Sequence, residues 1–339
     1  MLYIRTDMNQ TIATGHVMRC LSIAEAARDM GQDAVFILAD EQAVGLLKER
    51  GYAYIILHTP WNDMDRELPE LEKCIKEQKI RRILIDSYQV TESYLKRLSE
   101  MVKTYYIDDI NAFFYPVSGI ICYANYQEKF CYPKRYPTAE LYLGPEYVPL
   151  RKEFRHCMAR HIKPEAEHLL LMSGGSDPYG VLEKILDRLD KNLFQRVDVI
   201  CGMYDPDYDR LKEKYRSYEN IRLHKAVTDL DVYMKEADLA VSAGGTTLYE
   251  LCAAGTPAIS YAVADNQLWN VKKFDEDGLI AYAGDVRKED VTEFLVCLIE
   301  KYRKDADLRA ERSEKMQKLI DGRGAERIAE IFGREEETE

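Results

Sequence analysis

Short apolar runs alternate with segments of helical spacing along almost the whole chain, and this alternation limits the folds open to it. In the first half the runs fall at 2–5, 33–38, 53–57, 82–86 and 104–107, with helices expected from Val17 and over 41–50, 67–79 and 91–102. Val17, Cys20, Leu21, Ala24 and Ala27 share one face of the first helix, which Gly31 ends. Strands and helices in this order make βαβ units and a mostly parallel sheet. From 110 to 149 the chain is rich in Tyr, Pro and Asn, with one expected strand at 119–123, and reads as the close of a first domain plus a crossover. The alternation then restarts, with strands expected at 168–172, 197–201, 221–224, 238–242, 258–262 and 279–283 and two long helices over 287–331.

At 339 residues the chain exceeds what one core usually serves. The expected division is a first domain over 1–148, a second over 149–315, and a segment 316–339 whose helix packs back on the first domain before an acidic tail that frays. No apolar run is long enough to span a membrane, and Met1-Leu2-Tyr3-Ile4 enters a strand with no basic segment or cleavage site. A cytoplasmic protein without membrane insertion is expected. The net charge of −12 argues against a nucleic-acid partner. Eight cysteines include no CxxC pair, so reduced, mostly buried thiols are expected. His156 and His161 are spaced wrongly for a helical zinc pair, and no metal site is expected.

In an open parallel sheet, ligands sit at the carboxyl ends of the strands. The stretch from Ser242 to Gln267 supplies such a place. Leu239-Ala240-Val241 reads as a buried strand, Gly244-Gly245 break it, and Thr246 and Thr247 open a helix. Free backbone N–H groups, a helix dipole and two hydroxyls then converge as a seat for phosphate. Glu250, one turn into that helix, can accept from two ribose hydroxyls, and Asp265, Asn266 and Gln267 emerge at the end of the next strand. Tight packing alone also explains a glycine pair. A second glycine loop follows strand 168–172 at Ser173-Gly174-Gly175-Ser176-Asp177-Pro178, with Pro178 in the first turn of a helix and Asp177 as its cap. In the first half, His16 follows a strand and Gly15 at the start of a helix. Asp86-Ser87-Tyr88 and Asp108-Asp109 lie just past strand ends on the same side. Arg19 has no identifiable partner and reads as structural.

Gly15-His16-Val17-Met18-Arg19, the Ser173–Pro178 loop, Leu143-Gly144-Pro145-Glu146-Tyr147-Val148-Pro149-Leu150-Arg151, and Ala243-Gly244-Gly245 through Glu250 to Asn266-Gln267 together resemble the PseG-type UDP-sugar hydrolases and the related SpsG family. The likeness runs over about residues 1 to 330 in the same order. It implies an α/β, GT-B-like fold with two Rossmann-like domains facing a central cleft, as in the MurG glycosyltransferase. It implies hydrolysis of a UDP-activated, diacetamido-trideoxy sugar, with UDP and free sugar as products. Backbone donors and hydroxyls can take up the charge on the diphosphate, so no cofactor is expected. His16 would be the catalytic base and Tyr88 a second residue of the catalytic site. Gly244, Gly245, Thr246 and Thr247 would hold the diphosphate; by their own chemistry the Gly174 and Gly175 N–H groups and the Ser176 hydroxyl can add donors to the same charge. Glu250 would hold the ribose, the backbone at Val227 would meet the uracil, and Asn266 and Gln267 would reach phosphate or sugar. Gly15 and Asp109 would lie on the sugar side. Tyr249 departs from the family pattern, which often has Trp there. Two rival readings use the same nucleotide site: a glycosyltransferase with an acceptor, and a protein that binds the nucleotide sugar without turnover.

Overall fold

The computed structural model describes residues 1–12, 14–202 and 205–333; the acidic tail from Arg334 lies outside the described residues. The chain divides into two compact units, Met1–Lys152 with Gly322–Glu339, and Glu153–Asp321.

The first unit is built on seven strands: β1 Leu2–Thr6, β2 Ala34–Leu38, β3 Ala53–Ile56, β4 Arg82–Asp86, β5 Lys103–Ile107, β6 Gly119–Cys122 and β7 Glu140–Leu143. They lie in the order β3-β2-β1-β4-β5-β6-β7, every neighbouring pair parallel. The second unit has β8 His168–Met172, β9 Arg196–Cys201, β10 Ile221–Lys225, β11 Leu239–Ala243, β12 Ala258–Ala262 and β13 Ala281–Asp285. Their order is β10-β9-β8-β11-β12-β13, again all parallel. Helices cover both faces of such sheets, so the central strands are continuous apolar runs. β1, β8, β11 and β12 are buried at every position. Each unit has its own core: Ile83, Ile85, Tyr106 and Ile120 pack with Leu71, Leu95 and Leu98 in the first, and Leu169, Leu171, Val199 and Val241 with Ile185, Leu211 and Leu295 in the second.

In both sheets the strand order reverses at the middle. β1 and β4 are neighbours although their connections leave toward opposite edges, and so are β8 and β11. The loops after such a pair diverge and leave a crevice at the carboxyl ends. Thr6 lies beside Asp86 in the β1–β4 register, and Ser242 beside Met172 in the β11–β8 register. All the residues singled out in the sequence therefore leave their sheets at one edge of each unit.

The structure departs from the sequence expectations at particular points. β7 adds a strand to the 110–149 segment, whose short, half-exposed run carries little periodic signal. The end of the chain forms three helices, Thr292–Lys304, Ala306–Leu319 and Gly324–Gly333, where two were expected. The Asp305 carboxylate accepts the Leu308 N–H at 2.9 Å and starts a new helix. Gly322, at φ +75°, separates the last two. The helix after β8 starts at Val181 rather than at Pro178. Asp177 still caps it, accepting from the N–H groups of Val181 at 3.0 Å and Leu182 at 2.8 Å.

The final helix belongs to the first unit and packs on the helix Gly15–Asp29. A Cβ on Gly324 would overlap the Val148 carbonyl oxygen, so only glycine allows this approach. Arg327 donates to the Glu146 carbonyl at 3.0 Å, and Arg82 to the Ile331 carbonyl at 2.9 Å.

Under this sheet Arg5 is wholly buried with Glu67 and Asp7. Its Nε donates to Glu67 at 2.8 Å, and the Tyr94 hydroxyl donates to the same oxygen at 2.8 Å. Burial opposes the Arg5 charge, but the two carboxylates outweigh it and hold the guanidinium ionised. Removing one partner of such a pair leaves an uncompensated charge in the core. Glu67→Ala is expected to cost about 3–5 kcal/mol, read as a lower urea midpoint at neutral pH.

Candidate active site and phosphate loops

His16 occupies the first turn of the helix Gly15–Asp29 and is buried. Its Nδ1 lies 2.7 Å from Asp86 Oδ1 at the end of β4. The Asp86 carboxylate also receives the fork of Arg19. Nε reaches Oδ2 at 2.6 Å, and Nη2 reaches the same Oδ1 that faces the histidine. Arg19 Nη2 and His16 Nδ1 are 3.0 Å apart because both point at that oxygen. A carboxylate only accepts, so Nδ1–H donates to Asp86 and Nε2 is the ring nitrogen turned away from it.

Burial alone would raise Asp86, but the Arg19 charge and hydrogen bonds, then His16, hold it well below the usual carboxylate range. Arg19 reaches further, with Nη1 2.6 Å from the Tyr123 hydroxyl and 3.2 Å from Asp109 Oδ2. Tyr88 OH donates to both Asp109 oxygens, at 2.7 and 2.9 Å. Its ring stands edge-on to His16 with centroids 4.6 Å apart. Tyr88 is 44% exposed, so this network opens to solvent at its tyrosine end. Burial, then the charge of Asp109, raises the Tyr88 phenol far above its ordinary value, and it stays a donor.

Arg19, read from the sequence as structural, is thus the hub of the site. The sequence placed Asp86 on the same side as His16 but gave it no role, and it passed over Tyr123. The available signal for Arg19 was the spacing of three from His16, which puts both side chains on one helix face. Asp86 is also an acidic residue ending an apolar run. Neighbouring Asp108 serves a different end. It is buried and takes hydrogen bonds from Tyr115 OH at 3.0 Å, from Tyr132 OH and from the backbone of Ile110 and Asn111, which fixes the following loop.

In the second unit, Gly174, Gly175 and Ser176 are exposed after β8. Gly174 has φ +87°, which glycine adopts without strain. A Cβ on Gly202 would overlap the Gly175 carbonyl, so the loop lies directly on the end of β9. Val227 follows the edge strand β10 and is half-buried.

After β11, the helix Thr247–Ala254 begins where the glycine pair ends. The expected free N–H groups of Gly244 and Gly245 are not free. Gly244 donates to the Tyr261 carbonyl and Gly245 to the Ala243 carbonyl, each at 2.9 Å. A Cβ on Gly244 would overlap Val271, so this glycine is required by helix packing. Among the described residues, the N–H groups of Thr246 and Thr247 have no backbone acceptor, and the outward donors shift to those two residues. Glu250 is half-buried one turn on.

Asn266 and Gln267, expected past a strand end, stand in the first turn of the helix Asp265–Glu276. Gln267 turns its side-chain oxygen back to the Val263 N–H at 2.9 Å, and Asn266 is exposed. Asn270, missed in the sequence although it lies one turn from Asn266, ties the glycine loop down. Its Nδ2 donates to the Gly244 carbonyl at 3.1 Å, and its Oδ1 accepts from Tyr249 OH at 2.9 Å. Tyr249 is therefore a positioning residue beneath this loop.

Two carboxyl-edge clusters in doubly wound units invite comparison with known proteins. A family described as "Protein of unknown function (DUF354)" matches residues 168–322. The chain is 22% identical to the spore coat polysaccharide biosynthesis protein SpsG of Bacillus subtilis, over 94% of this chain and 93% of that protein. It is 25% identical to the Helicobacter pylori pseudaminic acid cytidylyltransferase and UDP-2,4-diacetamido-2,4,6-trideoxy-β-L-altropyranose hydrolase, over 81% of this chain and 47% of that protein. The chain is a relative of SpsG and of this hydrolase. It is also 26% identical to the uncharacterised protein MJ1062 of Methanocaldococcus jannaschii, over 76% of this chain and 54% of that protein. The chain thus spans about half the length of two of these relatives and nearly all of SpsG.

Among solved structures, MurG of Acinetobacter baumannii matches with a TM-score of 0.70 at 14% identity, covering 98% of this chain and 99% of that one. The fold is GT-B. Anabaena HepE, solved in complex with UDP, matches with a TM-score of 0.60 at 14% identity, over 98% of this chain and all of that one. Among the described residues, no helix is long and apolar enough to cross a membrane.

Two outcomes follow from these hydrogen bonds and charges. Asn270→Ala removes the buried hydrogen bonds to the Gly244 carbonyl and from the Tyr249 hydroxyl, at an expected cost of about 1–3 kcal/mol; a double-mutant cycle with Tyr249→Phe in urea is expected to show coupling. Asp86 is lowered in the fold, so the stability it adds is fully present above its unfolded value of about 3.9 and is lost as pH falls below that. The urea midpoint of Asp86→Asn is expected to fall less steeply between pH 5 and pH 3 than that of the unsubstituted protein.

Proposed function

We propose that the chain hydrolyses a UDP-activated amino sugar at its anomeric C–O bond, releasing UDP and the free sugar. The observation that carries this reading is the His16–Asp86 pair. It stands at the β1–β4 reversal, and the carboxylate on Nδ1 leaves Nε2 as the ring nitrogen able to take a proton. The hydrolase activity in the name of the Helicobacter relative supports it, since the similarity covers most of this chain.

In the proposed step His16 Nε2 removes a proton from water as the water oxygen attacks the anomeric carbon. The bond from that carbon to the β-phosphate oxygen breaks, and its electron pair leaves on UDP. A single displacement inverts the anomeric centre. Neutral imidazole is a competent base near neutral pH, and a helix N-terminus disfavours its cation. Charge developing on the diphosphate is assigned to the Thr246 and Thr247 N–H groups and hydroxyls, with Gly174, Gly175 and Ser176 opposite. Gly244 and Gly245 shape that loop. Glu250 is assigned to the ribose, the Val227 backbone to the uracil, and Asn266 and Gln267 to phosphate or sugar. Tyr88, Asp109 and Gly15 are assigned to the sugar. Gly15 has no described atom within 4 Å of the place a Cβ would take, which leaves room for a ligand against the backbone.

A glycosyltransferase would use the same base on an acceptor hydroxyl, and the GT-B neighbours favour keeping that reading in the test. Purified protein is incubated with UDP-2,4-diacetamido-2,4,6-trideoxy-β-L-altropyranose, and the anomeric proton and UDP are followed by NMR. UDP and free sugar, first formed as the inverted anomer, are expected, with His16→Ala slowing turnover by about 10²–10⁴-fold while UDP still binds. Persistence of the substrate until an acceptor alcohol is added would instead assign the transferase.

A further inference from the structure

The fork of Arg19 touches every polar element of the first-unit site except Tyr88. It grips both oxygens of Asp86, behind the histidine, and its remaining arm holds Asp109 and the Tyr123 hydroxyl. Asp109 in turn receives Tyr88, whose ring borders His16. The elements joined in this way are the first helix and the ends of β4, β5 and β6.

We infer that Arg19 is a positioning residue, which locks the carboxylate behind the base and the carboxylate on the sugar side into one frame and balances the charge behind His16. This rests on the hydrolase reading for its kinetic test and on the geometry alone for its spectroscopic one.

The charge argument is local. The titratable groups around His16 are Arg19 and Cys20 on its own helix, Asp86 ending β4 with Tyr88 after it, and Asp109 and Tyr123 past β5 and β6. The Cys20 thiol, 3.3 Å from Asp86 Oδ2, is pushed well up by burial and then by Asp86. Burial pushes the Tyr123 phenol up to about 12, with Arg19 opposing. These groups and Tyr88 stay neutral, which leaves two carboxylates and one guanidinium. An Asp that faced His16 alone would both orient the ring and favour its cation. Shared with Arg19, Asp86 orients the ring while much of its charge is offset by the guanidinium. Lysine cannot replace the fork, because one ammonium cannot span both Asp86 oxygens and Asp109.

The test separates orientation from charge. Arg19→Gln removes the positive charge behind the ring, so the acid limb of the kcat profile is expected to move to higher pH. Arg19→Lys keeps the charge but not the fork, so kcat is expected to fall about tenfold or more across the pH range with the limb unmoved. UDP affinity is expected to be unchanged in both, which also reports that they are folded.

In parallel, ¹⁵N-histidine NMR of the free protein, with His16 assigned from His16→Gln, reads the ring directly. The unsubstituted protein is expected to show the Nδ1–H tautomer, Asp86→Asn the Nε2–H tautomer, and Arg19→Gln a ring titration shifted upward. A uniform loss of kcat in Arg19→Gln with no shift of the limb or the ring titration would overturn the inference, as would retention of the Nδ1–H tautomer in Asp86→Asn. If the unsubstituted protein leaves the UDP-sugar intact while the ring still shifts as stated, the positioning role stands and the hydrolase reading falls.

Discussion

The site in each unit depends on where a parallel sheet changes direction. Strands laid side by side whose connections run to opposite edges leave an opening above them, and the chain has to line that opening with the groups that follow those strands. In the first unit these are His16 after β1 and Asp86 at the tip of β4, one strand apart in register with Thr6. In the second they are the loops after β8 and β11. The apolar strands are ordinary, and what distinguishes this chain is which polar residues it sets at those tips. The buried charge at Arg5 is tied to Glu67 and Asp7 beneath the same edge.

Much of this layout was legible in the sequence, since strands buried on both faces read as continuous apolar runs and the helices between them keep their period. β8 and β12 have the expected bounds, 168–172 and 258–262, and β11 runs one residue later than the expected 238–242. β7 was not legible, because a four-residue strand with an exposed Glu140 and only Tyr142 buried is too short to show a pattern. The break at Asp305 was missed for a different reason. The helical period continues on both sides of a capping aspartate, and its backbone angles and its side-chain bond to the Leu308 N–H show that the helix restarts.

Within the sites the limits are instructive. His16, Tyr88 and Asp109 stand close together, as their positions after β1, β4 and β5 suggest. Their connection through Arg19 was hidden because hydrogen bonds between residues nearly seventy or ninety positions apart leave no trace in local spacing. The Gly244-Gly245 pair shows the opposite error. A sequence signal for phosphate was present, but the backbone donors it implied are spent on Tyr261 and Ala243, and one glycine is there because Val271 leaves no room for a side chain. Packing and ligand approach favour the same residue type, and only the accounting of each N–H separates them.

The closing helix, Gly324–Gly333, has a consequence for how the protein is made. The first sheet is complete once Leu143 has emerged from the ribosome, yet the helix that covers the Gly15–Asp29 face and docks on Val148 arrives after the whole second unit has been synthesised. The nascent first unit must therefore wait with an apolar face unsheltered while nearly two hundred further residues are translated, roughly ten to forty seconds at usual elongation rates. During that interval the second unit can fold as an independent body. The last ten or so helical residues act as a clasp, and a ribosome that stops short of them releases a chain whose first unit is built but not closed.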